Sequence, residues 1–384
     1  MDDREAVIVS ARRTPFGRRR GGLSTVHPAE LLAGVHAAAL ESAGLTSTDV
    51  DLVLTGAVTK IGEQAYNIGR IAVLTGGMPV EVPAVTLDAQ CGSSQQAVNM
   101  AASSIAAGTA DIVLASGVES MSRVPLGSDR ELGAGDPLTD RYREQYPVVS
   151  AGESAEMIAE KWGISRAECD EFAWNSHQRA LRARAAGAFD AEIAPVVAED
   201  GVRVTADEPV RDSSLDDLRA LKPAFRADGF HTAASSSPIT DGAAAVVVMS
   251  AAAARARGLR PLARIAGQSI VGVDPTLRLT GPIPVTRALL DSTGLTLDDI
   301  DLFEVNEAFA SVVLAWLREY DVDPARVNRN GGAIALGHPV GATGARLVTT
   351  AVHDLVRTGA RRALVAMCTG GGLGTGTVLE RIAR

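Results

Sequence analysis

Two segments of this chain carry the same residue pattern, and this repeat limits what the chain can fold into. Gly44-Leu45-Thr46 in residues 39–52 is matched by Gly294-Leu295-Thr296 in residues 289–302, and Asp51-Leu52 by Asp301-Leu302. A repeat at a fixed spacing is the mark of an internal duplication. We therefore predict two copies of one folding unit that face each other across a pseudo-twofold axis.

The same spacing pairs positions further along the two copies. Cys91 corresponds to Gly341, which lies just after His338, and Cys368 corresponds to Val118. In two facing copies a loop Cys of the first half can meet a loop His and a loop Cys of the second half. The duplication therefore points to a site with two thiols and an imidazole.

Size and charge narrow the classes of function. At 384 residues the chain exceeds what one hydrophobic core usually serves, so two or three core-forming units are expected. A formal net charge of −9 argues against nucleic acid or an anionic membrane as a partner. It still allows a local basic pocket for a phosphorylated cofactor.

Features of targeting, membrane insertion and metal binding are not found in the sequence. Residues 1–5 are acidic and lead into a strand-like segment, unlike a signal or transit peptide. The longest nearly apolar segment, residues 243–254, is too short to span a bilayer. Three cysteines without a Cys-x-x-Cys arrangement predict free thiols and no metal site. We therefore expect a cytoplasmic protein.

Strand-like and helix-like segments alternate in both halves. The first half has predicted strands at residues 6–10, 52–57, 82–87 and 112–116, and predicted helices at 29–42 and 95–107. The second half has predicted helices at 287–293 and 344–357 and strands at 300–305 and 363–367. This alternation is typical of βαβ units. Residues 121–250 differ from both halves in composition and contain helical patterns at 155–161 and 166–186. A long insertion of this kind often covers the substrate.

Cys91 and His338 are the first candidates for chemistry. Cys91 follows a predicted strand and precedes a predicted helix, a position expected to lower the pKa of a thiol through the helix dipole and nearby N–H groups. A lone Cys is more often a buried structural residue, but its placement opposite His338 favours a nucleophile. His338 lies among small and turn-forming residues that let the backbone approach a ligand closely, so we interpret it as catalytic.

Two further strand ends carry candidate site residues. Cys368 enters a glycine-rich loop, which is either a flexible turn or a source of N–H groups, from Gly370 and its neighbours, that stabilise an oxyanion. Asn306 is a good helix N-cap, and it becomes a site candidate because its strand end is expected at the same edge as the others. The five other histidines are interpreted as surface or helix residues. Cys169 lies between two acidic residues that disfavour a thiolate, and residues 18–20 are interpreted as a solvated loop.

Taken together, Cys91, the Asn306-Glu307-Ala308-Phe309 segment, residues 331–346 and the glycines after Cys368 closely resemble the motifs of the thiolases, the acetyl-CoA C-acyltransferases. The resemblance runs from residue 7 to the C-terminus. It implies an α/β protein with a thiolase-like duplicated αβαβα five-layer fold and an inserted loop domain. Residues 1–120 would form the N-terminal core half, 121–250 the loop domain that holds coenzyme A and covers the substrate, and 251–384 the C-terminal core half.

The resemblance also assigns roles. Cys91 would be the nucleophile, His338 the base that activates it, and Cys368 the acid/base at the α-carbon of acetyl-CoA. One oxyanion hole would use His338 and a water held by Asn306, and the other the N–H groups of Cys91 and Gly370. Further candidates for substrate or coenzyme A contact are Ala151, Arg211 and Ser237. Ala151 stands where short-chain relatives carry a bulky residue, which predicts a wider acyl pocket.

The implied reaction is the reversible cleavage of a 3-ketoacyl-CoA by CoA to acyl-CoA and acetyl-CoA, in fatty acid or steroid side-chain degradation. Coenzyme A and acyl-CoA would be substrates, with no bound cofactor, and the protein a homodimer or homotetramer. Two alternatives stay open: a biosynthetic acetoacetyl-CoA thiolase, and a non-catalytic acyl-CoA- or lipid-binding protein of the same fold. A β-ketoacyl synthase is disfavoured, because that family has a second His at the position of Asn306 and no counterpart of Cys368.

Overall fold

The computed structural model describes residues 2–382. The strands are β1 (Ala6–Arg13), β2 (Gly17–Arg18), β3 (Leu52–Gly56), β4 (Ala84–Leu87), β5 (Ile112–Ser120), β6 (Val196–Val197), β7 (Arg203–Val204), β8 (Thr240–Ser250), β9 (Ala263–Gly272), β10 (Leu302–Val305), β11 (Arg362–Thr369) and β12 (Leu373–Arg381). The α-helices are α1 (Pro28–Ser42), α2 (Ile68–Thr75), α3 (Ser93–Ala106), α4 (Ser128–Glu131), α5 (Asp140–Gln145), α6 (Ala151–Lys161), α7 (Arg166–Ala185), α8 (Leu215–Arg219), α9 (Ala251–Ala256), α10 (Pro282–Thr293), α11 (Ala310–Glu319), α12 (Ala333–Leu336) and α13 (Thr343–Thr358). None of these helices is long and apolar enough to cross a membrane.

The main strands pair into one continuous sheet of ten strands, whose two parts, called here the first and the second sheet and belonging one to each half, join at a narrow seam. The strand order is β10-β11-β12-β9-β1-β8-β5-β3-β4. β1 and β9 pair over only two positions, Val7 with Arg264 and Ile8 with Ala263, so this contact is the seam between the halves. Within the halves, β3 pairs in parallel with β4 and β5, and β10 in parallel with β11, as the βαβ pattern predicts.

Helices fill the space between and outside the sheets. α3 and α13 pack on each other and lie between the two sheets, where α3 contacts β3 and β5 and α13 contacts β8 and β11. α1 and α2 cover the outer face of the first sheet. α10 packs on β9 and β12, and Trp316 of α11 is buried with strand residues of the second sheet. The layers are helix, sheet, helix, sheet, helix, which confirms the predicted five-layer fold.

The duplication is visible in the packing of each half. The carboxylate of Asp51 accepts the N–H of Ile112 at the start of β5 at 2.9 Å, and the carboxylate of Asp301 accepts the N–H of Arg362 at the start of β11 at 2.8 Å. Both aspartates lie just before the first parallel strand of their half. Identical local contacts at matched positions confirm that the sequence repeat is a structural repeat.

The region between the halves is less regular. It contains the short helices α4, α5 and α8, the long helices α6 and α7, and a small sheet of β6 and β7. α6 and α7 pack against α11 of the second half. The predicted loop domain extends to residue 250, whereas the structure places residues 240–250 in the first sheet as β8, between β1 and β5. Every residue of β8 is buried, so the strand lacks the alternation of apolar and polar residues that would have marked it.

Candidate active site

Two chain connections and the end of a strand place Cys91, His338 and Cys368 near the start of the central helix layer. Cys91 lies between β4 and α3, His338 between α12 and α13, and Cys368 near the end of β11. The N-termini of α3 and α13 meet directly, because the Ala345 N–H donates to the Ser94 hydroxyl at 2.9 Å. The loops before these two helices therefore lie side by side.

The Cys91 thiol is partly exposed and lies against the backbone N–H groups of Gly370 and of Cys91 itself. Burial in the site raises the pKa of Cys91 to about 11, and the two N–H groups offset this only in part. The expectation of a lowered pKa was wrong. Desolvation destabilises the Cys91 thiolate by more than the helix start and the N–H groups stabilise it. Cys91 is therefore a protonated thiol at neutral pH.

The two N–H groups at the Cys91 sulfur are those predicted to form an oxyanion hole. Gly370 lies close to the turn of Gln90: a Cβ at Gly370 would lie 3.3 Å from Cβ of Gln90. Gln90 itself adopts a φ of 52°, in the left-handed region that a non-glycine residue rarely occupies. The turn of Gln90 and the loop of Gly370 therefore lie in contact beside the Cys91 sulfur.

The tautomer of His338 follows from its hydrogen bonds. Its Nδ1 lies 2.7 Å from the Thr343 hydroxyl, and that hydroxyl donates to the Pro339 carbonyl at 2.9 Å. A hydroxyl has one proton to donate, so Thr343 accepts from Nδ1–H and the lone pair falls on Nε2. Burial, with the nearby charge of Arg346, lowers the pKa of His338 to about 3. The imidazole is neutral, and its Nε2 is buried without a hydrogen-bond partner among residues 2–382.

The side chain of Asn306, like Nε2 of His338, carries unpaired polar atoms. Its N–H donates to the Ala366 carbonyl at 3.0 Å and fixes the end of β10. Its side-chain Nδ2 and Oδ1 are buried and bind no group in the described chain. The alternative role as a helix N-cap does not hold, since α11 begins at Ala310. Orphaned buried polar atoms are costly, and they are characteristic of groups that bind a substrate.

Cys368 is almost fully buried, with 1% of its surface exposed. Burial raises its pKa above the ordinary range of a thiol, and the negative charge of a Cys91 thiolate would raise it further. The influence of Cys91 on Cys368 places the two thiols in one site. Cys368 packs in an apolar cluster with Ala308 and Leu279, which keeps water away from its sulfur.

Glu119 is a residue of the site region that the sequence analysis missed. This buried carboxylate in β5 accepts the N–H groups of Val58, Thr59 and Gly341, each at 3.0 Å, and the side-chain amide of Gln64 at 2.7 Å. It therefore joins a loop of the first half to the His338 loop of the second. A lone acidic residue inside an apolar strand was the available signal, because a buried charge needs compensating partners.

The three outer candidates lie in different environments. Ala151 is exposed as the first residue of α6, and Arg211 is exposed, with its N–H donating to Nδ1 of His177 at 3.1 Å. Ser237 is partly buried, and its N–H donates to the Ala308 carbonyl at 3.0 Å. Only this last bond joins one of them to the segment that begins at Asn306. Their contact with substrate stays a prediction.

The histidines set aside by the sequence analysis are partly in unexpected places. His36 and His177 lie in helices, as interpreted, but are buried there, and His231 is buried outside any helix. Nε2 of His36 bonds to Ser116, and Nε2 of His231 to Ser311, each at 2.9 Å. These are core residues with hydrogen-bond partners. No group of three or more His, Cys, Asp or Glu side chains within residues 2–382 is arranged as metal ligands would be.

Comparison with protein families gives two matches that together cover most of the chain. The family described as thiolase, N-terminal domain, matches residues 6–252, and thiolase, C-terminal domain, matches residues 259–381. Among curated proteins, a steroid 3-ketoacyl-CoA thiolase of Mycobacterium tuberculosis is 46% identical over 98% of this chain and 94% of its own length. An acetyl-CoA acetyltransferase of Chromobacterium violaceum is 43% identical over 98% of this chain and 100% of its own.

Solved structures match equally closely. The acetyl-CoA acetyltransferase of Bacillus anthracis aligns with a TM-score of 0.91 and 39% identity, covering 98% of this chain and 99% of that one. The human mitochondrial 3-ketoacyl-CoA thiolase aligns with a TM-score of 0.90 and 36% identity over 100% of both chains. The likeness therefore includes both halves and the region between them.

Proposed function

This chain belongs to the thiolase family, and from that premise we propose that it cleaves 3-ketoacyl-CoA with CoA through an acyl group carried on Cys91. The products are acetyl-CoA and a shortened acyl-CoA. One observation carries the proposal: a thiol that faces two backbone N–H groups shares a site with a second thiol and packs against Val340 in the loop of His338, whose Nε2 lone pair is free. Such a set can form a thioester and move a carbon-bound proton.

In the first half-reaction Cys91 gives its proton to Nε2 of His338 and attacks the C3 carbonyl of the substrate. The bond from sulfur to C3 forms and the C2–C3 bond breaks. Its electron pair goes to C2, which takes a proton from Cys368 to become acetyl-CoA. Since the pKa of Cys91 is about 11 and that of His338 about 3, a resting thiolate-imidazolium pair is disfavoured. The proton therefore moves together with the attack.

In the second half-reaction the thiol of CoA gives its proton to the Cys368 thiolate and attacks the acyl carbon. The bond between that carbon and the Cys91 sulfur breaks, and the sulfur takes the proton held by His338. All three residues return to their starting states. The N–H groups of Cys91 and Gly370 would hold the oxygen of the tetrahedral adduct, and His338 and Asn306 the thioester oxygen of the enolate.

The proposal also includes the direction in which the protein runs the reaction and the size of the acyl chain that it accepts. The name of the Mycobacterium tuberculosis relative supports degradation, and the acetyl-CoA acetyltransferase relatives keep biosynthesis of acetoacetyl-CoA as the second candidate. Ala151, with its small side chain, supports medium or bulky acyl chains. We also propose a homodimer or homotetramer, which light scattering at micromolar concentration would test.

The function is tested by thiolysis of acetoacetyl-CoA, followed through the absorbance of its enolate, together with mass spectrometry of the protein. We expect loss of the enolate signal and the mass of one acyl group on the peptide that contains Cys91. Cys91→Ala should abolish both, while Cys169→Ala, which removes a buried thiol outside the site, should keep both. A protein that binds acyl-CoA without turnover or labelling would be a binding protein instead.

A further inference from the structure

Arg278 lies in a connection that rests directly on the active site. The segment joins β9 to α10, and the Val273 N–H donates to the Gly372 carbonyl in the glycine-rich loop after Cys368 at 2.7 Å. The short helix Arg278–Thr280 packs against β11 and α6. The next residue, Leu279, belongs to the same apolar cluster as Cys368. Arg278 is thus held between the loop of the second thiol and the start of α6.

The guanidinium of Arg278 is half-buried and incompletely paired. Its Nη2 donates to the Val149 carbonyl, and its Nε is buried with no hydrogen-bond partner in the described chain. The ionisable groups whose charges act on it are Tyr142, Cys91 and Arg130, and none of them is a carboxylate. Burial lowers the pKa of Arg278, yet a guanidinium stays charged at any physiological pH.

A half-buried guanidinium with a free N–H group is stabilised by a bound anion. The position of Arg278 determines which part of a substrate could provide that anion. A guanidinium matches a carboxylate with two parallel hydrogen bonds. Arg278 precedes Leu279, which packs in the cluster of Cys368, and its segment is bonded to the loop after Cys368, so Arg278 lies on the side of the site where the reacting carbon binds. The phosphates of coenzyme A are held far from that carbon by the long, uncharged pantetheine arm. An anion at Arg278 would therefore be on the acyl chain.

We propose that Arg278 determines substrate specificity by binding a carboxylate on the acyl chain of the 3-ketoacyl-CoA. The free Nε–H and the remaining N–H groups of the fork would donate to the carboxylate oxygens while Nη2 stays on Val149. The preferred substrates are then 3-ketoacyl-CoA thioesters of dicarboxylic acids. This inference rests on the proposed thiolase activity and names its substrate class.

The test compares two substrates of equal chain length, 3-ketoadipyl-CoA, which ends in a carboxylate, and 3-ketohexanoyl-CoA, which ends in a methyl group. We expect the wild-type kcat/KM to favour 3-ketoadipyl-CoA by about tenfold or more, the size of a charge-assisted hydrogen bond. Arg278→Gln should lower this ratio by about tenfold, and Arg278→Lys should keep part of it. Arg19→Gln is the matched control, since it removes the same charge from an exposed side chain and should leave the ratio unchanged.

The outcomes separate this inference from the proposed function. Failure of the wild type to cleave either substrate would contradict the thiolase activity itself. Cleavage of both with a ratio near one would overturn only the role of Arg278, and this comparison needs no variant to fold. An equal loss on both substrates in Arg278→Gln, or a raised KM for CoA with the ratio kept, would assign Arg278 to the Val149 segment or to the phosphates of CoA and would also overturn the inference.

Discussion

The Thr343 hydroxyl accepts a hydrogen bond from Nδ1 of His338 at 2.7 Å while it donates its own proton to the Pro339 carbonyl at 2.9 Å. Thr343 is the first residue of α13, so the helix that runs through the centre of the molecule also selects the tautomer of the proposed base. The same helix start approaches that of α3, which follows Cys91. The orientation of the imidazole is therefore tied to the packing of the two copies.

Replacing Thr343 by Val should weaken catalysis with little change in the binding of substrate. Without the hydroxyl, Nδ1 loses its acceptor and the other tautomer becomes accessible, which places a proton where Nε2 must accept one. We expect kcat to fall by about tenfold or more, the effect of one lost hydrogen bond. Thr343→Ser keeps the hydroxyl and should retain most of kcat. Equal kcat values for the Val and Ser variants in steady-state thiolysis would contradict the tautomer assignment.

Cys368→Ala should separate the two chemical steps. Cys91 and His338 remain, and the leaving CoA thiolate can take its proton from His338 or solvent instead of Cys368, so the variant should still take up an acyl group from an acyl-CoA, more slowly, detected as added mass on the Cys91 peptide. It should no longer exchange the α-protons of acetyl-CoA with deuterated solvent, because the proposed acid/base is missing. Cys169→Ala serves as the control for loss of a buried thiol. Exchange in Cys368→Ala at the wild-type rate would move the acid/base role to another residue.

Glu119→Gln should destabilise the protein and disturb the His338 loop. The carboxylate accepts four N–H donors, whereas a Gln amide presents an NH₂ group to some of them and leaves buried donors unpaired. We expect the free energy of unfolding to fall by about 2 kcal/mol and kcat to fall with it. Glu81→Gln, at an exposed position, is the matched control in denaturant unfolding and activity assays. Identical unfolding curves for both variants would show that Glu119 is dispensable.

Buried histidines should make the protein sensitive to acid, and His36 offers a test outside the active site. Burial lowers the pKa of His36 to about 3, whereas an unfolded His titrates near 6.5. Between these values the unfolded chain holds a proton that the folded protein does not. The free energy of unfolding therefore falls as the pH drops below 6.5, by up to about 1.4 kcal/mol per pH unit for each such His.

His36→Gln removes this proton from the unfolded state and should make the fall in stability between about pH 6 and pH 4.5 shallower by about 1 kcal/mol per pH unit. Urea unfolding at a series of pH values gives the two slopes. Burial raises the pKa of Glu304 to about 8, which acts in the opposite direction, but Glu304 is present in both proteins and cancels in the difference. Parallel curves for variant and wild type would contradict the neutral state of His36.

Much of the fold and of the candidate site depends on local sequence patterns and could therefore be predicted from the sequence. The repeat predicted the duplication, and the alternation of strand and helix patterns predicted elements such as α1, α3, α13 and β11 close to their observed bounds. The reactive residues sit at strand ends and in glycine-rich loops, where composition and order along the chain are informative. Cys91, His338 and Cys368 could be named because residue type and position in the repeat do not depend on packing.

The features that the sequence missed or misjudged all depend on contacts between distant segments. β8 is buried on both faces, so its pattern did not show which sheet it joins. The pKa of Cys91 was given the wrong direction because desolvation depends on how the Gly370 loop and the rest of the site enclose the sulfur. Glu119 binds N–H groups from chain segments far apart in sequence, and the Nε of Arg278 is left unpaired by the way its segment packs in the fold. Burial and hydrogen bonding are properties of the packed protein, so only the folded structure could supply them.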